Sequence, residues 1–230
     1  MPPEGTPDRL RQLIRVGQSR GHVLYDEIDA VLAPGREGVA ELDQVLSELT
    51  RNAIEVVDEP RTENSIPDES FFDRAENLGD LAPIRSYLRE VLTVARLTVE
   101  EEKQLARQIK EGSIGAAAAG VDAPARLYAT DESGKIYYGP GATELSSTPK
   151  NAEGAEKRLI EANLWIAVGT ATHFVDRGLS LLDLVQEGNI GLMRAVREYN
   201  YVRQYRFSTY ATWWVRKAIQ IALQQIKKPE

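Results

Sequence analysis

Cysteine is absent from the 230-residue chain, and histidine occurs only twice, as His22 and His173. The first absence excludes disulfides, thiolate metal sites and a cysteine nucleophile. The second leaves too few imidazoles for a Ser-His-Asp site or a multi-histidine metal centre. No catalytic residue, metal or cofactor is expected. No apolar run approaches the roughly eighteen residues that a membrane helix needs, and the opening MPPEGTPDRL has no apolar stretch that could act as a secretory signal. What remains is an ordinary globular balance, 42% hydrophobic and 27% charged. It suggests a cytoplasmic protein that works by binding, not catalysis.

The net charge of -7 is unevenly spread. Residues 191–230 hold eight basic side chains (Arg194, Arg197, Arg203, Arg206, Arg216, Lys217, Lys227, Lys228) against Glu198 and Glu230. The same forty residues hold seven of the sixteen aromatics: Tyr199, Tyr201, Tyr205, Phe207, Tyr210, Trp213 and Trp214. Residues 1–60, by contrast, carry twelve acids and six arginines. A basic, aromatic end on an acidic body makes nucleic acid the first partner to consider.

Hydrophobic spacing predicts an all-α chain. Residues 8–57 read as a small acidic helical domain. Leu10, Leu13, Ile14 and Val16 start a helix closed by Gly17 and Gly21. Tyr25, Ile28, Val31 and Leu32 make a second, stopped at Pro34-Gly35; Leu42, Val45, Leu46 and Leu49 make a third, and Ile54, Val56 and Val57 a strand-like piece. Residues 58–80 are polar and acidic, a flexible linker carrying Phe71-Phe72. Two helices follow, one at about Pro83–Leu92, the other from Thr98 to Lys110 with Glu101 at the capping-box position. The Gly- and Pro-rich stretch 113–154 interrupts as an insertion, with RLYAT-DESG-KIYYG as a small hairpin.

From residue 155 the spacing of Ile160, Leu164, Val168, Ala171 and Val175 predicts one helix ended by Gly178. LSLLDLVQEGNIGLMRAVREY predicts another, and a last one starts near Ser208 as N-cap and runs to about Ile226. Its core stripe is Val215, Ala218/Ile219, Ala222 and Ile226. Trp213, Arg216, Lys217, Gln220 and Gln224 share a second face. Arg and Lys neutralise phosphates, Gln pairs with base edges, and exposed rings stack on unpaired bases. The same aromatic cluster equally fits a protein core. Consecutive tryptophans lie about 100° apart on a helix, so at least one of Trp213 and Trp214 should be partly exposed.

NLWIAVGTATHFVDRGLSLLDLVQEGNIGLMRAVREYNYVRQYRFSTYATWWVRKAIQ closely resembles region 2 of housekeeping-type bacterial RNA polymerase sigma factors. APIRSYLREV and LTVEEEKQLARQIKEG resemble region 1.2, and LRQLIRVGQSRGHVLYDEIDAVL resembles region 1.1. Domain boundaries follow: 1–57 for region 1.1, 58–80 for the linker and 81–230 for regions 1.2 and 2. The resemblance implies a non-enzymatic subunit that binds core RNA polymerase and recognises and melts the promoter minus-ten element.

It also implies residue roles. Leu182, Asp183, Gln186, Glu187, Asn189 and Met193 match the surface that grips the clamp coiled coil of the beta-prime subunit. Tyr199, Arg203, Thr209, Tyr210 and Trp213 match the pocket for a flipped adenine of the non-template strand. Trp213 and Trp214 match the wedge that replaces that base, and Tyr205 and Phe207 match aromatics that assist melting. Lys217 and Gln220 match readers of the first, paired base. Asn163, Ile166, Ser208 and Thr212, with Leu88, Arg89 and Glu102, match the pocket for the element's last base. Region 1.1 implies an acidic mimic of DNA that covers the basic face.

The chain departs from the family at several of these places. Gln is usual at Lys217, basic residues are usual at Thr172, Val202 and Ile221, and glycine is usual at Leu92. Nothing resembling regions 3 or 4 precedes the closing IKKPE. Either the chain is a truncated gene or fragment, or it is a sigma-like protein lacking those regions, and a second function is then open: a truncated sigma-like regulator that occupies the clamp and modulates the full-length sigma factor.

Overall fold

A computed structural model describes residues 6–32, 37–58, 87, 89–91, 93–118, 128–130, 136–138 and 150–226. The expected linker beyond Asp58, the first turn at Pro83, and Leu88 lie outside the described residues. The elements are α1 (Thr6–Arg20), β1 (His22–Leu24), α2 (Tyr25–Val31), α3 (Glu37–Arg51), β2 (Glu55–Val57), α4 (Val99–Ala118), β3 (Tyr128–Thr130) and β4 (Ile136–Tyr138). They continue with α5 (Lys150–Glu161), α6 (Leu164–Thr172), α7 (Leu181–Glu198) and α8 (Phe207–Ile226). The fold is all-α with two small strand pairs. The chain divides into two compact units, residues 1–65 with 202–210, and residues 66–201 with 211–230.

In the first unit, the apolar spacings of α1, α2 and α3 converge on one core. Leu10, Leu13, Ile28, Val31, Leu42, Val45, Leu46 and Leu49 are all buried. Helix α1 does not stop at Gly17 but runs on to Arg20. Gly17 instead permits a close approach: a Cβ there would lie 2.6 Å from Ile54 Cγ2 and 2.9 Å from Val23 Cγ1. Gly21 ends the helix, its φ of 81° being one that glycine adopts without strain. The strand-like piece at Ile54–Val57 is β2, and it pairs in parallel with β1, Val23 opposite Val56. Three residues are too few to show alternation, so β1 left no sequence signal.

In the second unit, Thr98 and Glu101 form the expected reciprocal cap. The Thr98 amide donates to Glu101 Oε2 at 2.8 Å, and the Glu101 amide donates to Thr98 Oγ1 at 3.3 Å. The Thr98 amide and hydroxyl both donate to the Glu101 carboxylate, which holds this exposed group below its ordinary value. Helix α4 then continues through Gly112 and Gly115 to Ala118, eight residues past Lys110; the alanines after Gly115 offset the two glycines. The hairpin is present as β3 and β4 in antiparallel register, Tyr128 opposite Tyr138. The single helix expected from 155 to 178 is two, α5 and α6, broken at Asn163. Its side-chain amide donates to the Leu159 carbonyl at 2.8 Å, a local bond that competes with helix continuation.

Helix α7 opens at Ser180, whose hydroxyl oxygen accepts from the Asp183 amide at 3.2 Å. It packs on α5 and α6, burying Leu184, Val185, Leu192, Ala195 and Val196. It also meets the backbone of α8 directly. A Cβ at Gly191 would fall 2.5 Å from the Trp214 carbonyl oxygen and 2.8 Å from Val215 Cα. Because backbone cannot swing aside, Gly191→Ala should force α7 and α8 apart and cost on the order of 1–3 kcal/mol. Equilibrium urea unfolding of the variant measures this; a midpoint equal to the wild type's would contradict the close packing.

Helix α8 starts at Phe207, so Ser208 lies inside its first turn and is not the N-cap. Its buried stripe is Val215, Ala218, Ile219 and Leu223. Ile226, expected in the core, is 53% exposed.

Candidate functional site

Helix α7 presents one polar face to solvent. Asp183 is exposed, Leu182, Gln186 and Glu187 are half-buried, and Ile190 is 39% exposed. Asn189 and Met193, expected on this surface, lie in the interior instead. At spacings of three and four residues, positions 183, 186, 187 and 190 share a face; Asn189 and Met193, three and seven residues after Gln186, lie on the flank of that face that is turned into the interior. Ile190 thus supplies the apolar element expected of Met193.

Asp183, Gln186 and Glu187 also line a cleft of about 370 Å³ with Leu179 and with Ala222, Gln225 and Ile226 from the end of α8. Partial burial raises the Glu187 carboxyl above its ordinary value, Asp183 adding to the rise and Arg194 opposing it. Two carboxylates beside apolar side chains make this cleft suited to a long cationic side chain with an aliphatic stem.

The buried Asn189 has another role. Its amide donates to the Tyr87 hydroxyl at 3.1 Å, and that hydroxyl lies 3.5 Å from the amide oxygen to which it donates. The pair pins the helical residues around 89–91 to α7. Burial pushes the Tyr87 pKa from 10.0 up to about 12, against the lowering effect of the Asn189 bond. The fold therefore favours the neutral phenol. Its contribution is fully present below pH 10 and is lost as pH rises towards 12, about 2–3 kcal/mol in all. Unfolding midpoints between pH 8 and about 12 should fall less steeply in Tyr87→Phe than in the wild type. Parallel curves would contradict the assignment.

In the first unit, residues 202–210 lie against the acidic N-terminal helices. Tyr205 donates its hydroxyl proton to the Asp43 carboxylate. Arg203 pairs with the same carboxylate at 3.9 Å. Tyr25 donates to the Thr209 carbonyl at 3.1 Å. Tyr205 and Tyr210 stack with ring centroids 5.9 Å apart, and both are buried, as is Phe207. Arg203 is exposed, and Ser208 and Thr209 are half-buried.

In the second unit, Trp213 is 5% exposed, Trp214 is half-buried, and the two rings meet edge to face at 5.3 Å. One tryptophan inward and one outward is what their angular separation requires. Lys217 lies over the Trp213 ring, Nζ 5.9 Å from its centroid. Thr212, Lys217 and Gln220 are half-buried and Gln224 is exposed. Arg216 is not on that surface: it is buried, with its guanidinium 5.3 Å from the Phe174 ring. Tyr199 is buried too.

The residues expected to hold the last base are split. Asn163, Ile166 and Glu102 are interior, Thr212 is half-buried and Arg89 is exposed. Among the described residues, no helix is long and apolar enough to cross a membrane.

Residues 159–228 match the family model of sigma-70 region 2, residues 4–78 that of sigma-70 factor region 1.1, and residues 83–113 that of region 1.2. The chain belongs to the sigma-70 family. It is 33% identical over 224 residues to RNA polymerase sigma factor SigA of Listeria monocytogenes serovar 1/2a, covering 92% of this chain and 49% of that protein. The same identity and coverage hold for SigA of Listeria innocua serovar 6a. The chain spans about half the length of these curated relatives.

In these terms the Tyr87–Asn189 pair joins region 1.2 to region 2. Asp43 and Tyr25 of region 1.1 hold Arg203, Tyr205 and Thr209 of region 2. Sequence reasoning missed Asp43, Tyr25 and the end of α8 as parts of the site. Asp43 is one of twelve acids before residue 61, so nothing in its spacing marks it. Val202 and Ile221, where the family usually carries basic residues, are exposed apolar side chains.

Proposed function

We propose that this chain is a promoter-recognition subunit. It binds core RNA polymerase through the exposed strip of α7, Leu182, Asp183, Gln186, Glu187 and Ile190, on the clamp coiled coil of the beta-prime subunit. It reads the non-template strand of the minus-ten element with Arg203, Tyr205, Thr209, Thr212, Trp214, Lys217 and Gln220. It acts by binding, in the cytoplasm where the polymerase works, and catalyses no reaction.

The supporting observation is that an acidic segment holds residues to which this reading gives the DNA contacts. Asp43 engages Tyr205 and Arg203, and Tyr25 engages Thr209. A carboxylate that pairs with an arginine and accepts a phenol proton occupies the positions a phosphate would take. Region 1.1 thus competes with DNA for the same groups.

The second reading, a regulator that occupies the clamp without selecting DNA, is favoured by exposed Val202 and Ile221. Apolar side chains there cannot neutralise phosphate. Binding of a single-stranded minus-ten oligonucleotide in the presence of core polymerase separates the two: sequence preference supports the first, core binding without preference the second.

A further inference from the structure

The cleft between α7 and the end of α8 is lined by two acids and, among the described residues, by no base. Asp183 and Glu187 stand one turn apart on one wall, and Ala222, Gln225 and Ile226 form the other. Burial disfavours the charged form of Glu187, and Arg194, the cation that opposes this, does not line the cleft. Paired carboxylates facing apolar surface suit a cation carried on an aliphatic stem. The nearest such groups in the sequence follow the cleft's own wall. Helix α8 has no base in its last turn; it ends at Ile226, and Lys227 and Lys228 come next. Both lie outside the described residues. A chain advances at most about 3.6 Å per residue, so neither lysine starts more than about 7 Å from Ile226. Each then has a flexible four-carbon stem with which to reach back.

We infer that the Lys227-Lys228 segment is an internal occupant of this cleft, pairing with Asp183 and Glu187, so that the chain covers part of its own polymerase-binding strip until core displaces it. The covering role rests on the core-binding proposal above. Charge complementarity selects this occupant, since the cleft brings two carboxylates and the segment two ammonium groups. Exposed ion pairs are individually weak, but the tether makes the pairing intramolecular, at an effective concentration in the millimolar range. A cleft filled between about two-thirds and nine-tenths of the time lowers apparent affinity for core about three- to tenfold. A partner must therefore outcompete two lysines, which excludes weakly cationic surfaces.

The first test needs no polymerase. The chain lacks cysteine, so the full chain carrying Gln186→Cys and Pro229→Cys reports closure by the rate at which glutathione disulfide links the two positions. Lys227→Gln with Lys228→Gln should slow closure about three- to tenfold, Lys227→Arg with Lys228→Arg should keep the rate, and about 0.5 M salt should erase the difference. Glu187→Gln is the sharper probe. Removing a negative charge makes a nearby thiol more reactive, so a faster reaction is expected from thiol chemistry alone, whereas the internal occupant requires a slower one.

The second test measures affinity for core polymerase in the full chain without the added cysteines. Lys227→Gln with Lys228→Gln should bind about three- to tenfold more tightly than the wild type, and the gain should shrink in a Glu187→Gln background. If closure and core affinity are both unchanged, the occupant is wrong: the lysines then only complement the carboxyl end of the helix dipole, and the core-binding proposal stands. If closure slows as expected but neither chain binds core, the occupant stands, and the covering role falls together with the core-binding proposal.

Discussion

Glu187→Lys should abolish binding to core RNA polymerase at concentrations where the wild type is saturated. The carboxylate stands half-buried in the cleft between α7 and the end of α8, beside Asp183. A cation brought into that cleft replaces water around a carboxyl whose charged form is already disfavoured by burial, so pairing recovers desolvation cost as well as Coulomb attraction. Truncating one partner of such a contact costs about 2–5 kcal/mol, at least a thirtyfold loss, and reversing the charge costs more. Glu187→Gln should give the smaller loss.

Acid should have the same effect as Glu187→Gln. The raised pKa means that Glu187 takes up its proton at a higher pH than an ordinary glutamate. Affinity for core polymerase should therefore fall on acidification sooner than a freely solvated carboxylate would give. Pull-down with purified core across the pH range measures both effects. Wild-type affinity in Glu187→Lys would contradict the assignment of this face.

Removing the Asp43 carboxylate should strengthen DNA binding by the chain on its own. Asp43→Ala deletes the acceptor of the Tyr205 hydroxyl and the partner of Arg203 in one step. Hydrogen bonds to charged groups contribute about 1.5–3 kcal/mol. If DNA and Asp43 compete for the same side chains, apparent affinity rises by up to that amount, roughly 10- to 100-fold. The gain should be largest at low salt and shrink as salt screens the phosphate contacts.

Asp8→Ala is the control. It removes the same charge from the same segment, but Asp8 is exposed and pairs with Arg11 at 3.2 Å. An equal gain in both variants would mean that bulk charge matters and the contact does not. No gain in Asp43→Ala, measured by fluorescence anisotropy of labelled DNA, would contradict the masking account.

Much of this architecture is legible in the residues. Spacing located the core faces of α1 to α3 because each has four or so apolar residues at helical intervals. The T-x-x-E at Thr98 located the start of α4 because the two caps are reciprocal. The hairpin was readable because DESG separates two β-prone runs.

What failed had physical causes of a different kind. Periodicity gives the angle of a residue on its helix but not which side faces the neighbour. Arg216 therefore reads as surface when it is interior, and the family resemblance places Asn189 and Met193 on a surface although both are buried. The break at Asn163 depends on a side-chain amide turning back to its own backbone, which hydrophobic spacing does not register. Gly17 reads as a stop and nothing in the spacing marks Gly191, whereas each is a place where a Cβ would collide with a neighbouring element. The contacts of Asp43 and Tyr25 join residues 160 or more positions apart, and no local pattern encodes them.

The burial of Tyr210 and Trp213, 1% and 5% exposed, also bears on how the promoter reading should be tested. Truncating either opens a cavity worth roughly 3–5 kcal/mol, so lost DNA binding would follow from unfolding as readily as from a lost contact. The accessible positions Arg203, Lys217 and Gln220 avoid this. The decisive measurement compares single-stranded minus-ten and base-permuted oligonucleotides for binding to the wild-type chain with core polymerase. The same comparison is then made for the Arg203→Ala, Lys217→Ala, Gln220→Ala triple variant. A promoter reader prefers the minus-ten sequence, and the triple variant, still bound to core, loses about tenfold or more of that affinity. Equal affinity for both oligonucleotides in the wild type, with core binding intact, would contradict promoter recognition and leave a clamp-occupying regulator in its place.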